Sequence, residues 1–82
     1  MSTIEILRQA MAQQMEGQRA KAERVYLQVL KEEPDNPDAN HLLGLVRSQQ
    51  DKDEEAVLLI EKAIALSPNA SAYHHNIAGI YR

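Results

Sequence analysis

Between residues 53 and 69, DEEAVLLIEKAIALSPN, the apolar positions Ala56, Ile60, Ala63 and Ile64 recur at helical spacing. They form one stripe flanked by acidic and polar residues, the pattern of a helix packed on neighbours. Ala56 and Ala63 lie two turns apart on that stripe, where a short side chain lets another helix come close. Pro68 ends the pattern, because proline lacks an N–H and biases the residue before it away from helix. The same order of positions occurs 34 residues upstream, as Ala22, Tyr26, Val29 and Leu30 followed by Pro34.

The rest of the chain reads as three further helices. Ser2 and Glu5 have the spacing of a capping box and open a first helix from about Thr3 to Met15. Its apolar set is Ile6, Leu7, Ala10, Met11 and Met15, and Gly17 is expected to stop it in a left-handed conformation. A second helix, from about Arg19 to Lys31, buries Ala22, Val25, Tyr26, Val29 and Leu30. Asn36 suits an N-cap and Pro37 the first position of a third helix reaching Gln49. That helix buries Leu42, Leu43, Leu45 and Val46. Gly44 stands on the same side, at a helix-interior position where glycine costs about 1 kcal/mol relative to alanine. A neighbouring backbone is therefore expected close to it. Asp51 occupies the place of Gly17 and is among the residues that enter left-handed backbone cheaply. After Ser67, Pro68 and Asn69, a fifth helix is expected from Ser71 to Arg82.

Composition narrows this to an all-α fold with an aliphatic core. Apolar residues make up 44% of the chain but aromatics only 4%, and glycine and proline number three each. Nine basic and twelve acidic residues, net charge −3, are scattered without a basic stripe. Nucleic acid and anionic membrane surfaces are accordingly not expected as partners. There is no cysteine, so no disulfide or thiolate chemistry enters. Glu5 and Arg8 interrupt the N-terminus where a signal peptide needs an apolar run. The longest apolar run, Ala56–Ile60, falls far below the roughly 20 residues of a membrane span. A cytoplasmic protein is expected.

A shift of 34 residues superposes Ala10 on Gly44 and Ala78, Gly17 on Asp51, Ala22 on Ala56, Tyr26 on Ile60, and Pro34 on Pro68. It also superposes His41 on His75 and Leu43 on Ile77. A period of this length marks a helix–turn–helix solenoid, in which units bury their apolar faces on one another. The residues resemble the tetratricopeptide repeat pattern, W-x-x-L-G-x-x-Y, then A-x-x-x-F, then P. The middle unit carries Asn40, Leu43, Gly44 and Arg47, then Ala56 and Ile60, then Pro68. The first carries Ile6, Gln9, Ala10 and Gln13, then Ala22 and Tyr26, then Pro34. A third begins with His74, Ile77, Ala78 and Tyr81. The usual aromatic is missing at Ile6 and Asn40, and Gln13 and Arg47 stand where tyrosine is usual, which is expected to weaken packing between paired helices. The resemblance implies antiparallel helix pairs stacked as a right-handed α-solenoid of about five helices. One domain is expected, with repeats at about 3–36 and 37–70 and a partial repeat at 71–82, as a fragment of a longer protein.

No catalytic or cofactor chemistry is expected from these residues. His74 and His75 are adjacent and point about 100° apart on a helix, and His41 lies a repeat away, so no three- or four-ligand zinc set forms. Asp51, Asp53, Glu54 and Glu55 surround a helix start, where negative charge is favoured by the dipole. No serine lies in a nucleophile motif and no glycine-rich phosphate loop is present. The resemblance instead implies a protein-interaction scaffold whose first helices line a concave groove for a peptide or a partner helix. The groove register carried onto this chain gives Leu7, Met11 and Gln14, then Asp38, His41, Leu45, Ser48 and Gln49, then Ala72, His75, Asn76, Gly79 and Arg82. Asn76 and Arg82 are the candidates for a carboxylate contact. Asn76 also fits an asparagine ladder of the family, whose matching places here hold Arg8 and Leu42.

The last helix exposes a second surface. Ile77, Ala78, Ile80 and Tyr81 are expected to await the next repeat or another subunit, which makes a homo-oligomer a consequence of isolating the chain. The runs HLLGL and AIALSPNASAYHHN are similar to repeats that precede catalytic domains in bacterial glycosyltransferases of the O-linked N-acetylglucosamine transferase type or in sulfotransferases. The alternative expectation is therefore the N-terminal arm of such an enzyme, serving substrate-protein recognition or oligomerisation.

Overall fold

In the computed structural model, which describes residues 2–80, local chemistry sets the starts of the first and third helices and the stops before the second and fourth. The helices are α1 (Thr3–Met15), α2 (Arg19–Glu32), α3 (Pro37–Gln49), α4 (Asp53–Leu66) and α5 (Ser71–Ile80). The Ser2 hydroxyl oxygen accepts from the Glu5 N–H at 3.2 Å, and Asn36 Oδ1 accepts from the Ala39 N–H at 3.0 Å with Pro37 opening the helix. Gly17 (φ 90°) and Asp51 (φ 62°) both take the left-handed turn expected of them. Each is followed by a Schellman closure, Gln18 N–H to the Gln13 carbonyl at 2.8 Å and Lys52 N–H to the Arg47 carbonyl at 2.9 Å. Nothing lies within 4 Å of where a Gly17 Cβ would stand, so only backbone strain opposes a side chain there. Gly17→Ala is expected to lower stability by about 1 to 2 kcal/mol, read as an earlier urea midpoint at unchanged slope.

The helices stack as a helical solenoid with α3 at its centre. α3 packs on α2 and α4, α1 packs on α2, α5 packs on α4, and both α1 and α5 touch α3. The first helices of the units, α1, α3 and α5, thus line one side. One core cluster joins Leu7, Ala10, Ala22, Tyr26, Val29, Ala39, Leu42, Leu43 and Val46. A second joins Ile60, Ala63, Tyr73 and Ile77, and the half-buried Leu45 packs against both. The small positions act as the repeat requires: Ala22 and Ala56 are fully buried, and a Cβ on Gly44 would meet Ile60 Cγ1 at 2.6 Å and the Ala56 carbonyl oxygen at 3.2 Å.

The core departs from expectation at its edges. Met11 and Met15 are 42% and 82% exposed, because among the described residues α1 packs on α2 and α3 alone and its buried stripe narrows to Leu7 and Ala10. Ile77, expected to face outward, is buried on Ile60, Ala63 and Tyr73. Tyr73, Ile77 and Ile80 fall on the stripe of α5 that meets α4, whereas Ala78 is rotated off it and exposed.

Two polar positions that break the family pattern have structural partners. Asn40 is 2% exposed, and its amide donates to the Pro34 carbonyl at 3.2 Å and the Asn36 carbonyl at 2.9 Å. One repeat later the His74 ring nitrogen lies 2.8 Å from the Pro68 carbonyl. A polar residue at the place of the usual aromatic thus ties down the turn before its helix in both units. Arg47 replaces the usual tyrosine contact with charge: it pairs with Glu23 of α2, with Glu55 of α4 through Nε at 3.2 Å, and donates to Gln50. The expected weakening of helix packing at Arg47 is therefore offset by an ionic tie among three helices.

Candidate functional site

The concave side carries a depression of about 260 Å³ lined by Ile4, Leu7, Arg8 and Met11 of α1, Asp38, His41 and Leu42 of α3, and Ala72 and Tyr73 of α5. Its floor is apolar and buried at Leu7 and Leu42, while Ile4 (61% exposed) and Met11 (42%) stand open at its edge. Three consecutive first helices supply it, so the site exists only because the units stack. Arg8 is exposed and forms no hydrogen bond or ion pair among the described residues. Asp38, the other charge in the depression, accepts a hydrogen bond from the Tyr73 hydroxyl, which helps burial to push that phenol well above the usual tyrosine range.

His41 is buried at the wall of this depression rather than offered to solvent. Its ring stacks on Tyr73 with centroids 4.5 Å apart, and Asn76 Nδ2 lies 2.8 Å from His41 Nε2. Burial holds the imidazole below the ordinary histidine range, with the Asp38 charge opposing. Asn76 is half-buried and engaged by His41, so it does not stand free as a ladder amide. Leu45 and Ser48 are half-buried, and Leu45 serves the core. Gln49 lies at the opposite end of α3, where it accepts from the Gln14 amide at 3.3 Å and its carbonyl accepts from Arg19 at 3.4 Å. Gln14 in turn accepts from the Tyr26 hydroxyl at 2.8 Å, and burial raises the Tyr26 phenol to about 12. His75 and Gly79 are exposed, while Arg82 and Tyr81 lie outside the described residues.

The structure thus gathers one end of the expected groove, with Leu7, Met11, Asp38, His41 and Ala72, and adds Ile4, Arg8, Leu42 and Tyr73 to it. Arg8 and Leu42 were legible from the register, since they occupy the places matching Asn76. Ile4 and Tyr73 were not, because each reads equally as core or surface until α1 and α5 are placed. At the far end, Ile80 lies beside Val57 and Leu58, the latter 69% exposed, in a separate shallow apolar depression. Among the described residues no set of three or more His, Asp or Glu side chains gathers to hold a metal, and no helix is long and apolar enough to cross a membrane.

Residues 13–78 match the tetratricopeptide repeat family model, and the chain belongs to that family. A solved structure of a mutant O-GlcNAc transferase from Thermobaculum terrenum is similar, with a TM-score of 0.90 and 33% identity. The likeness covers 95% of this chain and 15% of that enzyme, so the chain spans well under two thirds of its length. No curated protein matches. Tetratricopeptide repeats generally mediate protein–protein interaction, and the repeat itself is a non-catalytic fold.

Proposed function

We propose that the concave side of α1, α3 and α5 holds a segment of a partner protein, and that the chain binds without catalysing. The observation that carries this is the pairing of an apolar floor, Leu7 and Leu42, with two large apolar side chains left open above it, Ile4 and Met11. Water gains nothing from such a surface, whereas covering a side chain of this size stabilises a complex by roughly 1.5 to 3 kcal/mol when burial is complete. The unpartnered Arg8 beside them favours a segment with an acidic residue near its apolar anchors. Selection from a displayed random-peptide library tests this. Ligands so isolated are expected to carry apolar residues with a nearby Asp or Glu, and to lose at least about tenfold in affinity on Met11→Glu, the change read by fluorescence anisotropy. Met11→Glu is safe for folding because the side chain is already open. Equal affinity for wild type and Met11→Glu, together with loss on Leu58→Glu, would move the site off the groove.

The likeness to a stretch of an O-GlcNAc transferase supports a second, compatible reading, in which these repeats form the recognition arm of a larger enzyme. The gene that encodes the chain tests it. A transferase domain in the same reading frame supports the arm, and a frame without one leaves a scaffold.

A further inference from the structure

We infer that His41 makes the seating of α5 on α3 depend on pH, its neutral ring serving as an acceptor that acid removes. Whatever the groove holds, this follows from the contacts between the two helices. Asn76 Nδ2 donates to His41 Nε2 at 2.8 Å, so that nitrogen carries its lone pair and the proton of the neutral ring is on Nδ1. Tyr73 stacks on the same ring and donates its hydroxyl to Asp38. Among the described residues, the side-chain hydrogen bonds between α3 and α5 run through these four groups alone. Ile77 and the rest of the apolar stripe of α5 pack mainly on Ile60 and Ala63 of α4.

Protonation at Nε2 places a donor opposite a donor. Turning the Asn76 amide restores one hydrogen bond, but it leaves a cation in a site that is 7% exposed. Burial is the stronger influence on this ring, and Asp38 opposes it only in part. The other charges around α3 do not alter that balance. Arg8 of α1 shares the depression and repels an imidazolium, Tyr73 of α5 is a neutral phenol, and His75 of α5 is exposed. Glu23 of α2 and Glu55 of α4 are turned to Arg47, six residues further along α3. Because folded His41 takes its proton at a lower pH than the unfolded side chain, its contribution is complete above pH 6.5 and is lost as pH falls from there. Ala72, Tyr73, Asp38 and His41 all line the concave depression, so loosening α5 also opens one wall of the groove.

The test is a pH titration of the whole chain by nitrogen and amide NMR, from about pH 7.5 to 5 across the histidine range. His41 is expected to titrate below the ordinary histidine value of 6.5, with the Asn76 and Ile77 amides moving at the His41 midpoint while α1 amides stay in place. Urea unfolding in the same series is expected to show the folding equilibrium constant falling by up to about tenfold per pH unit. In His41→Phe, which keeps a stacked ring without a titrating group, the fall is expected to be less than about twofold, since a change in proton binding is then missing. His41→Gln serves the same comparison should the phenylalanine variant not fold. A His41 midpoint at or above 6.5 would overturn the inference, as would an acid fall in the folding equilibrium constant that persists undiminished in both variants.

Discussion

Gly44→Ala is expected to destabilise the chain by about 1 to 3 kcal/mol through overpacking, although alanine is the better helix former by about 1 kcal/mol. The added methyl would stand 2.6 Å from Ile60 Cγ1 and 3.2 Å from the Ala56 carbonyl oxygen. Ile60 is fully buried, and a β-branched side chain in a helix has essentially one χ1 rotamer, so it has nowhere to swing. The Ala56 carbonyl is held within α4. Relief therefore requires α3 and α4 to part, which loosens both core clusters at their junction. Ile60→Ala removes the obstructing atoms but leaves a cavity, at a cost of about 2 to 5 kcal/mol. The two changes should compensate: in the Gly44→Ala background, Ile60→Ala is expected to cost at least about 1 kcal/mol less than alone. A double-mutant cycle by urea unfolding reads this directly. Additive effects would mean that the two helices do not meet at Gly44.

The second large effect belongs to Arg47. Replacing it with alanine is expected to destabilise by about 1 to 2 kcal/mol, well below the 3 to 5 kcal/mol of a fully buried broken pair. The discount reflects partial exposure, 17% for Arg47 and 24% for its main partner Glu23, where water still screens. Glu55 is 59% exposed and adds little. The hydrogen bond from Arg47 holds the Glu23 carboxyl below its usual value of 4.5, with Gln50 assisting and burial opposing. A depressed carboxylate contributes stability that is present above pH 4.5 and lost as pH falls below it. Wild type should therefore lose more stability than Arg47→Ala in that acid range, a window separate from the one assigned to His41. Parallel acid profiles for the two proteins would remove Arg47 from the account.

How much could be read beforehand follows from what each residue type reports. The helix bounds at Ser2, Asn36 and Pro37, and the left-handed stops at Gly17 and Asp51, are local choices that need no neighbour, and the chain states them openly. The helix-interior position of Gly44 implied the close approach of some neighbouring backbone, and the structure supplies it in α4. Met15 and Ile77 were misplaced for the opposite reason. An apolar residue at helical spacing reports that some face is covered, not which neighbour covers it. His41 shows the limit most clearly. Its register with His75 suggested two equivalent groove residues, yet His41 lies buried beneath α5 and His75 is exposed, so burial separates two side chains that the period equates. Asn40 and Arg47 looked like defects in the pattern because the carbonyls and carboxylates that satisfy them come from other helices and turns.

The central claim, that stacked two-helix units present α1, α3 and α5 as a binding face, is tested most directly by mapping a selected peptide onto the chain by amide NMR. The expected result is that Arg8, Met11, Leu42 and Ala72 shift together while Leu27, Leu58 and Leu66, exposed on α2 and α4, do not. Shifts confined to Leu27, Leu58 and Leu66 would contradict it.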